Sequence, residues 1–154
     1  MNIMPGDFAD PRVRALLALH LGAMRVHSPA GHVHALDLSG LQRADIAFFT
    51  AWEGEELLGC GALRELSPGT GEIKSMRTAP GHLRRGVAAA LLAHMLAIAR
   101  ARGYARVSLE TGSGPAFEPA LALYRRAGFT SGEAFADYAA SAFNQFLHLD
   151  LAPS

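Results

Sequence analysis

The fold is decided by residues 71–92, which read GEIKSMRTAPGHLRRGVAAALL. The first eight positions alternate in part between polar and apolar side chains, which is the pattern of a half-buried strand, and a proline-glycine pair then ends it. From Arg85 onward the apolar positions take helical spacing, and Gly103 marks the end of the helix. A second alternating segment follows at 105–110. The stretch therefore predicts a strand–helix–strand unit.

The turn between the first strand and the helix has the features of an anion-binding site. The first N–H groups of a helix have no partner within it, and the helix dipole places partial positive charge there. Gly86 allows a ligand to approach the backbone, while Arg84 and Arg85 supply full charges. The small side chains of Ala88 and Ala89 keep the first turn free of bulk. The natural ligand of such a turn is a phosphate or a pyrophosphate.

Two common phosphate-binding turns fit these residues poorly. A P-loop requires G-x-x-x-x-G-K-[ST], which the chain lacks. A Rossmann turn requires G-x-G-x-x-G, and the segment GVAAAL at 86–91 fails that pattern at two positions. The first Rossmann strand is also almost wholly apolar, whereas Glu72, Lys74 and Arg77 interrupt this one. Only Glu110, placed as a ribose-binding acid would be, keeps the Rossmann interpretation open.

Length and composition indicate a single domain over 1–154, because a chain of 154 residues that is half apolar can bury a sizeable core. The formal net charge of zero gives no long-range field toward nucleic acid or an acidic membrane. The one cysteine, Cys60, excludes an internal disulfide and is expected to be an inert buried thiol. The longest apolar run, 87–99, is too short to span a bilayer, and we expect no signal peptide. These features predict a cytoplasmic protein.

Other elements follow from periodicity and turn signals. Asp10-Pro11 marks the start of a helix that should end near Pro29. Gly54 lies at the hairpin between two predicted strands. The remaining predicted elements are a strand beginning at Ile3, a short helix at 38–42, strands at 46–52 and 56–66, a helix at 119–127, a strand from Phe129 and a strand at 143–151. Their order predicts an α/β (α+β) fold: a mixed, mostly antiparallel sheet with one βαβ crossover and helices on its faces.

This order and two motifs resemble the GNAT superfamily of N-acetyltransferases, in its small single-domain bacterial type. The pyrophosphate loop of that family reads [QR]-x-x-G-x-[GA], and LRRGVA at 83–88 matches all but the first position. The family signature A-x-x-x-Y-x-x-x-G-F matches ALALYRRAGF at 120–129. An asparagine that often precedes this helix is absent, since FEP stands at 117–119. The resemblance covers nearly the whole chain and implies the GNAT acyl-CoA N-acyltransferase fold.

The resemblance implies acetyl-CoA as co-substrate. Pantetheine would bind between two splayed strands, one bearing Glu72 and the other ending at Glu110, much as another strand would. The N–H near Met76 would polarise the thioester carbonyl. Arg84 or Arg85 would replace the contact that is missing at position 83. The implied coenzyme-binding residues are Met76, Arg77, Thr78, Arg84, Arg85, Gly86, Val87, Ala88, Ala89 and Thr111.

The resemblance also supplies candidates for the chemistry of an amine acetylation. Tyr124 matches the tyrosine that lies near the coenzyme's sulfur and would act as the acid; the alternative is that it only packs. Glu72 lies where some members carry a catalytic glutamate and would act as the base. The alternative for Glu72 is an ordinary strand carboxylate paired with Lys74 or an arginine. Glu110 and His34 are further candidates for the base.

The acceptor would enter opposite the coenzyme, where we name His27, His34 and Asp37 as substrate-binding candidates, with Tyr138 on the opposite wall. This lining lacks the acidic stretch that a lysine-rich tail or a polyamine would need. It therefore predicts a small primary amine, an amino acid or a related metabolite. We expect the protein to be a monomer or a homodimer. The alternatives are a protein N-acetyltransferase, an acetyl-CoA sensor without turnover, and histidines that only fill a surface loop. His32 and His34 form the only close histidine pair, and without a metal motif around them we expect no metal.

Overall fold

The computed structural model describes residues 1–31 and 36–151, and in that part of the chain it contains seven strands and four α-helices. The strands are β1 (Asn2–Pro5), β2 (Ile46–Glu53), β3 (Glu56–Ser67), β4 (Thr70–Thr78), β5 (Arg106–Thr111), β6 (Thr130–Ser131) and β7 (Gln145–Asp150). The helices are α1 (Pro11–His27), α2 (Leu38–Leu41), α3 (Val87–Ala101) and α4 (Glu118–Arg126), and a 3₁₀ turn at Pro115–Phe117 precedes α4. None of the helices described is long and apolar enough to cross a membrane.

All seven strands belong to one sheet in the order β1-β2-β3-β4-β5-β7-β6. Every neighbouring pair is antiparallel except β4 and β5, which run parallel and are joined through α3. This is the single crossover that the alternation of residues 71–110 predicts. The predicted fold class, a mixed and mostly antiparallel sheet with flanking helices, is confirmed.

The two central strands separate along their length. β4 and β5 pair at three positions, the last of them Glu72 with Ser108. Beyond this point β4 carries a bulge, because Cys60 pairs with Arg77 and Ala62 with Lys74, which leaves two β4 residues opposite one on β3. Ser75, inside the bulge, has a φ of 55°. A bulge bends its strand and increases the local twist, so it turns β4 away from β5 and opens the sheet.

Each face of the sheet has its own apolar core. The core under α3 and α4 contains Leu63, Ile73, Leu91, Met95, Val107, Leu109, Leu121 and Tyr124. The core under α1 and α2 contains Val13, Leu16, Leu41, Phe48, Trp52, Cys60 and Ala62. Because successive side chains of a strand point to opposite faces, Glu72 and Lys74 lie on the α1 face, across from Arg64 and Ala62.

Helix boundaries follow the signals in the sequence. Asp10 caps α1 by accepting a hydrogen bond from the Arg12 N–H, and α1 ends at His27, where the C-cap residue Ser28 precedes a proline. α3 follows Gly86, whose φ is 80°, a left-handed value that favours glycine. Gly103, also left-handed at 78°, follows its end.

The strand predicted from Phe129 is only two residues long in the structure. A Cβ at Gly132 would lie 2.6 Å from the His148 ring, so the backbone passes close to β7 at this position. The segment that follows lies across the sheet, with Phe135 and Tyr138 packed on Phe146 at ring-centroid distances of 5.8 and 6.1 Å. Packing of these aromatic rings therefore follows the short strand β6.

Candidate active site

Two adjoining cavities lie where the sheet opens. The first, here called the cleft, has a volume of about 470 Å³ and is lined by His20, Ala23, Met24, His27, Glu72, Ile73, Lys74, Ser75, Met76, Arg77, Leu109, Glu110, Thr111, Ala116, Phe117, Ala120 and Tyr124. The second, here called the groove, has a volume of about 520 Å³ and is lined by Met76, Arg77, Thr78, Leu83, Arg84, Gly86, Val87, Ala88, Ala89, Ala116, Pro119, Ala120, Leu123, Tyr124 and Arg126. Five residues line both cavities: Met76, Arg77, Ala116, Ala120 and Tyr124. We call their location the junction.

The groove contains the start of α3, where the sequence predicts an anion site. Ala90 is the residue whose N–H bonds back to the Gly86 carbonyl, at 3.0 Å, so the N–H groups of the three residues before it have no such partner within the helix. A Cβ built on Gly86 meets no atom within 4 Å, which shows that the space in front of the helix is open. Backbone donors and the helix dipole thus meet an open groove.

Three arginines of the pyrophosphate loop and α4 differ in what they contact. Arg84, with a φ of 63°, lines the groove. Arg85 does not; its Nη1 donates to His82 Nδ1 at 2.9 Å. Since that nitrogen must accept, His82 Nε2 donates to Glu56 at 2.9 Å and ties the loop to β3. Arg126, in the last turn of α4, lines the groove although the sequence interpretation did not name it. In the sequence, Arg126 could have been recognised as a basic residue two positions after Tyr124, within the signature at 120–129.

Tyr124 borders both cavities and is 7% exposed. Its ring packs edge-on against Phe129 at 5.9 Å, and its hydroxyl forms no hydrogen bond with any residue in the described ranges. Burial raises the pKa of Tyr124 to about 12, and the nearby charge of Arg77 acts in the opposite direction. The phenol is therefore protonated at neutral pH and has a proton to donate.

Glu72 borders the cleft and is 1% exposed. Its Oε2 accepts hydrogen bonds from Tyr138 Oη at 2.5 Å and from Lys74 Nζ at 3.2 Å. Its Oε1 has no hydrogen-bond donor among the described residues and lies 3.9 Å from Arg64 Nη1. The pairing with a lysine and an arginine, which was the alternative to a catalytic role, is thus present. The same carboxylate nevertheless keeps one oxygen without a hydrogen bond.

Tyr138 comes from the segment after β6 and completes this cluster. Lys74 Nζ donates to its hydroxyl at 2.6 Å while the hydroxyl donates to Glu72. Burial, followed by the negative charge of Glu72, raises the pKa of Tyr138 above its ordinary value. The tyrosine therefore remains a donor and holds the Glu72 carboxylate in one orientation at the wall of the cleft.

The predicted substrate-binding residues are placed differently from one another. His27 lines the cleft. Asp37 does not; it caps α2 by accepting from the Gly40 N–H at 2.9 Å and from Ser39 Oγ at 3.0 Å. These hydrogen bonds, the one from Gly40 first, hold the pKa of Asp37 below its usual value. His34 lies outside the described residues.

The other sequence-predicted residues can be placed as follows. Of the ten residues assigned to the coenzyme, eight line the groove: Met76, Arg77, Thr78, Arg84, Gly86, Val87, Ala88 and Ala89. Thr111 lines the cleft instead, beside Glu110. Within residues 1–31 and 36–151, no group of three His, Cys, Asp or Glu side chains could hold a metal ion.

Two cleft residues that the sequence interpretation did not assign are His20 and the side chain of Arg77. Arg77 Nε donates to His20 Nδ1 at 3.0 Å. Burial, and then the charge of Arg77, lowers the pKa of His20 to about 4, so the imidazole is neutral at pH 7. The burial of His20 could have been recognised from its helical spacing. It lies three residues after Leu17 and four after Leu16, on the buried face of α1.

A family model described as the Acetyltransferase (GNAT) family matches residues 14–129. The chain belongs to the GNAT family of acetyltransferases. Among its relatives, YsnE of Bacillus subtilis, an uncharacterised N-acetyltransferase, is 51% identical over 138 residues, which are 90% of this chain and 91% of YsnE.

Solved structures agree with this membership. A chain from Klebsiella pneumoniae, provisionally named an acyl-CoA N-acyltransferase, superposes with a TM-score of 0.80 at 30% identity and covers 98% of this chain and 97% of its own. A GNAT family acetyltransferase from Elizabethkingia anophelis with acetyl-CoA bound has a TM-score of 0.72 at 18% identity, with 97% of each chain covered, and so shares the fold. The protein is an N-acetyltransferase with the acetyl-CoA-binding GNAT fold.

Proposed function

We propose that this GNAT protein transfers the acetyl group of acetyl-CoA to the primary amine of a small molecule, an amino acid or a related metabolite, by direct attack. The observation that carries the proposal is the junction. Five residues line both the cleft and the groove, so a coenzyme in one cavity and an amine in the other can be held with their reacting atoms together. Positioning of this kind supplies a large part of the rate enhancement of a bimolecular reaction.

The groove supports the binding of the coenzyme's phosphates and pantetheine. The pyrophosphate would lie against the N-terminus of α3, with Arg84 and Arg126 on the walls of the same groove. Pantetheine would follow β4 past Glu72, where β5 no longer pairs with it. The backbone N–H of Met76, at the junction, would then donate to the thioester carbonyl.

The reaction balances with groups of the cleft and the junction. Glu72, directly or through water, takes a proton from the acceptor's ammonium, and the neutral amine attacks the acetyl carbon. A C–N bond forms while the carbonyl electrons move to oxygen, near the Met76 N–H. The C–S bond then breaks and its electron pair leaves with sulfur. Tyr124 donates a proton to that sulfur and regains one from the nitrogen, which loses a proton as the amide forms.

The residues of the cleft favour a small acceptor that carries one positive and one negative charge. Its volume of about 470 Å³ lies in the range of small-molecule sites. Glu72 and Glu110 can attract an ammonium group, and Lys74 and Arg77 bring positive charge to the same cavity. A zwitterionic amino acid matches this mixture better than a polyamine does, because a polyamine offers positive charge alone.

A thiol-release assay with acetyl-CoA tests this proposal across amino acids, polyamines, aminoglycosides and lysine-containing peptides. We expect turnover with amino acids or related metabolites. Turnover confined to peptides would favour a protein N-acetyltransferase, and turnover confined to polyamines or aminoglycosides would assign the cleft to polycations. Absence of thiol release with every compound of the panel, although acetyl-CoA binds, would favour a coenzyme sensor.

Replacement of Tyr124 by phenylalanine is expected to lower kcat by about a hundredfold with little change in acetyl-CoA affinity. The ring and its contact with Phe129 stay, and only the hydroxyl is lost. The matched control is Tyr104→Phe, because Tyr104 is 4% exposed, its hydroxyl has no hydrogen-bond partner among the described residues, and it lines neither cavity. Equal kcat values for the two variants would return Tyr124 to a packing role.

Arg126→Ala is expected to weaken acetyl-CoA binding about tenfold, since a charge-assisted contact with a phosphate is removed. Arg125→Ala is the matched control: Arg125 is the preceding residue on α4, is also exposed, and does not line the groove. Isothermal titration calorimetry measures both dissociation constants. Indistinguishable values would remove Arg126 from the coenzyme site.

A further inference from the structure

One positively charged residue among those that line the two cavities borders both of them. Lys74 lines only the cleft, and Arg84 and Arg126 line only the groove. Arg77 lines both, as Tyr124 does. Arg77 therefore lies at the place where the acetyl group must change partners if the proposed function holds.

The orientation of Arg77 is fixed from one side. Its Nε donates to Nδ1 of His20 at 3.0 Å, across 57 positions of sequence. His20 is 6% exposed and neutral, so this nitrogen is free to accept. A guanidinium has five N–H donors in a planar fork, and this bond occupies the one on Nε. The two terminal amino groups remain for another ligand.

Arg77 has no counter-ion in the described part of the chain, where no carboxylate forms an ion pair with it. The acidic groups whose charges would interact with it are Cys60 and Tyr124, and burial raises the pKa of each to about 12, so both are neutral. Burial also lowers the pKa of Arg77 itself. A partly desolvated cation without an anion is unfavourable, and such a group in a cleft marks a site where an anion binds.

The reaction produces an anion at this point. When the C–S bond breaks, its electron pair leaves with sulfur as the coenzyme's thiolate. The pKa of Tyr124, about 12, exceeds the value of about 8.5 for a free thiol. Proton transfer from the phenol to a free thiolate is therefore uphill, so the sulfur carries negative charge from the breaking of the C–S bond until Tyr124 has delivered its proton.

We propose that the guanidinium of Arg77, held in place by His20, forms an ion pair with the coenzyme's sulfur as it leaves as a thiolate. The inference rests on the proposed function for the presence of the coenzyme at the junction. Arg77 would then be a catalytic residue, because it touches the reacting sulfur, and His20 a positioning residue. A fixed charge of this kind stabilises the developing anion without reorganisation during the reaction.

The thiol pKa of CoA bound to the protein tests this inference without any acceptor. The ultraviolet absorbance of the thiolate is followed while pH is raised. For the wild-type protein we expect the thiol pKa to be lower than that of free CoA by about one unit or more, the effect of one close opposite charge. Arg77→Met should return the value to that of free CoA, and Arg77→Lys should keep part of the shift.

The positioning role of His20 has its own readout. His20→Leu should lose most of the shift in thiol pKa, whereas His20→Gln, which can still accept a hydrogen bond from Arg77, should retain it. Lys74→Met is the matched control, because it removes a cation that lines the cleft but not the groove. This variant should leave the thiol pKa as in the wild type.

The outcomes separate the inference from the proposed function. Absence of CoA binding to the wild-type protein in calorimetry would overturn both. Binding with the thiol pKa of free CoA, or an unchanged shift in Arg77→Met, would overturn the ion pair and leave acetyl transfer standing. A raised KM for carboxylate-bearing acceptors in Arg77→Met, with kcat and thiol pKa unchanged, would assign the cation to the acceptor instead and overturn the inference.

Discussion

Gly86→Glu is expected to abolish acetyl-CoA binding, with the dissociation constant raised more than about a hundredfold, equal to about 2.7 kcal/mol. The new side chain would project from the residue before α3 into space where a Cβ meets no atom within 4 Å. That space is where the helix N-terminus would hold the pyrophosphate. A carboxylate there adds both bulk and like charge against the phosphates. Calorimetry with acetyl-CoA measures the loss.

Two controls separate charge at the site from strain in the backbone. Gly81 lies in the same loop with a φ of 86°, and a Cβ there also meets open space, but it does not line the groove. Gly81→Glu therefore carries the same charge and a similar backbone penalty away from the site, and it should keep most of the affinity. Gly86→Ala retains the strain at a φ of 80° without the charge. Tight binding by Gly86→Glu, comparable to that of Gly81→Glu, would rule out this loop as the pyrophosphate site.

Glu72→Gln is expected to lower kcat by about a hundredfold to ten-thousandfold, the usual contribution of a general base. The glutamine amide oxygen can still accept from Tyr138 and Lys74, so the hydrogen bonds at Oε2 have a substitute. The variant loses the ability to take a proton from the acceptor's ammonium. Steady-state turnover with the best amine of the panel measures the change, and acetyl-CoA affinity should remain close to wild type.

The comparison variant is Glu110→Gln, because Glu110 lines the same cleft and was the other carboxylate considered for the base. Its kcat should fall much less than that of Glu72→Gln. A larger loss in Glu110→Gln would transfer the base to Glu110. Thermal unfolding of both variants shows whether either change in turnover comes from lost stability, since a buried carboxylate with several partners also supports the fold.

Local sequence signals account for most of the fold. The cap at Asp10 and the left-handed glycines at 86 and 103 place helix boundaries within the chain, and each acts through its nearest neighbours. The hairpin at Gly54 and the crossover through residues 71–110 likewise follow from short-range periodicity. The strand predicted from Phe129 extends over only two residues, and the packing of Phe135 and Tyr138 on β7 that follows it is a tertiary effect that periodicity cannot report.

The site is less predictable because its contacts join distant positions. Tyr138 lies 66 positions from the Glu72 carboxylate that it holds, and His20 lies 57 positions from Arg77. The sequence interpretation named Arg77 only as one of the coenzyme-binding residues and assigned no role to His20. No spacing rule links a helix position to a strand that follows three other elements.

The adjacent arginines of the pyrophosphate loop show a different limit. Arg84 and Arg85 are the same residue type at neighbouring positions, so the sequence cannot decide which of them lines the groove. The decision depends on loop conformation: Arg84 has a φ of 63°, while Arg85 is drawn toward His82 and Glu56. In the sequence, the local hint of the contacts between Arg85, His82 and Glu56 was a histidine three residues before Arg85.

The central claim is direct acetyl transfer from the coenzyme to a small amine at the junction. Mass spectrometry of one reaction mixture tests it, with acetyl-CoA that carries a deuterated acetyl group and the best amine of the panel. The predicted result is one labelled N-acetyl amine for each CoA thiol released, with the protein at its unmodified mass. Thiol release without a labelled amine, or a deuterated acetyl group on the protein instead of the amine, would contradict the claim.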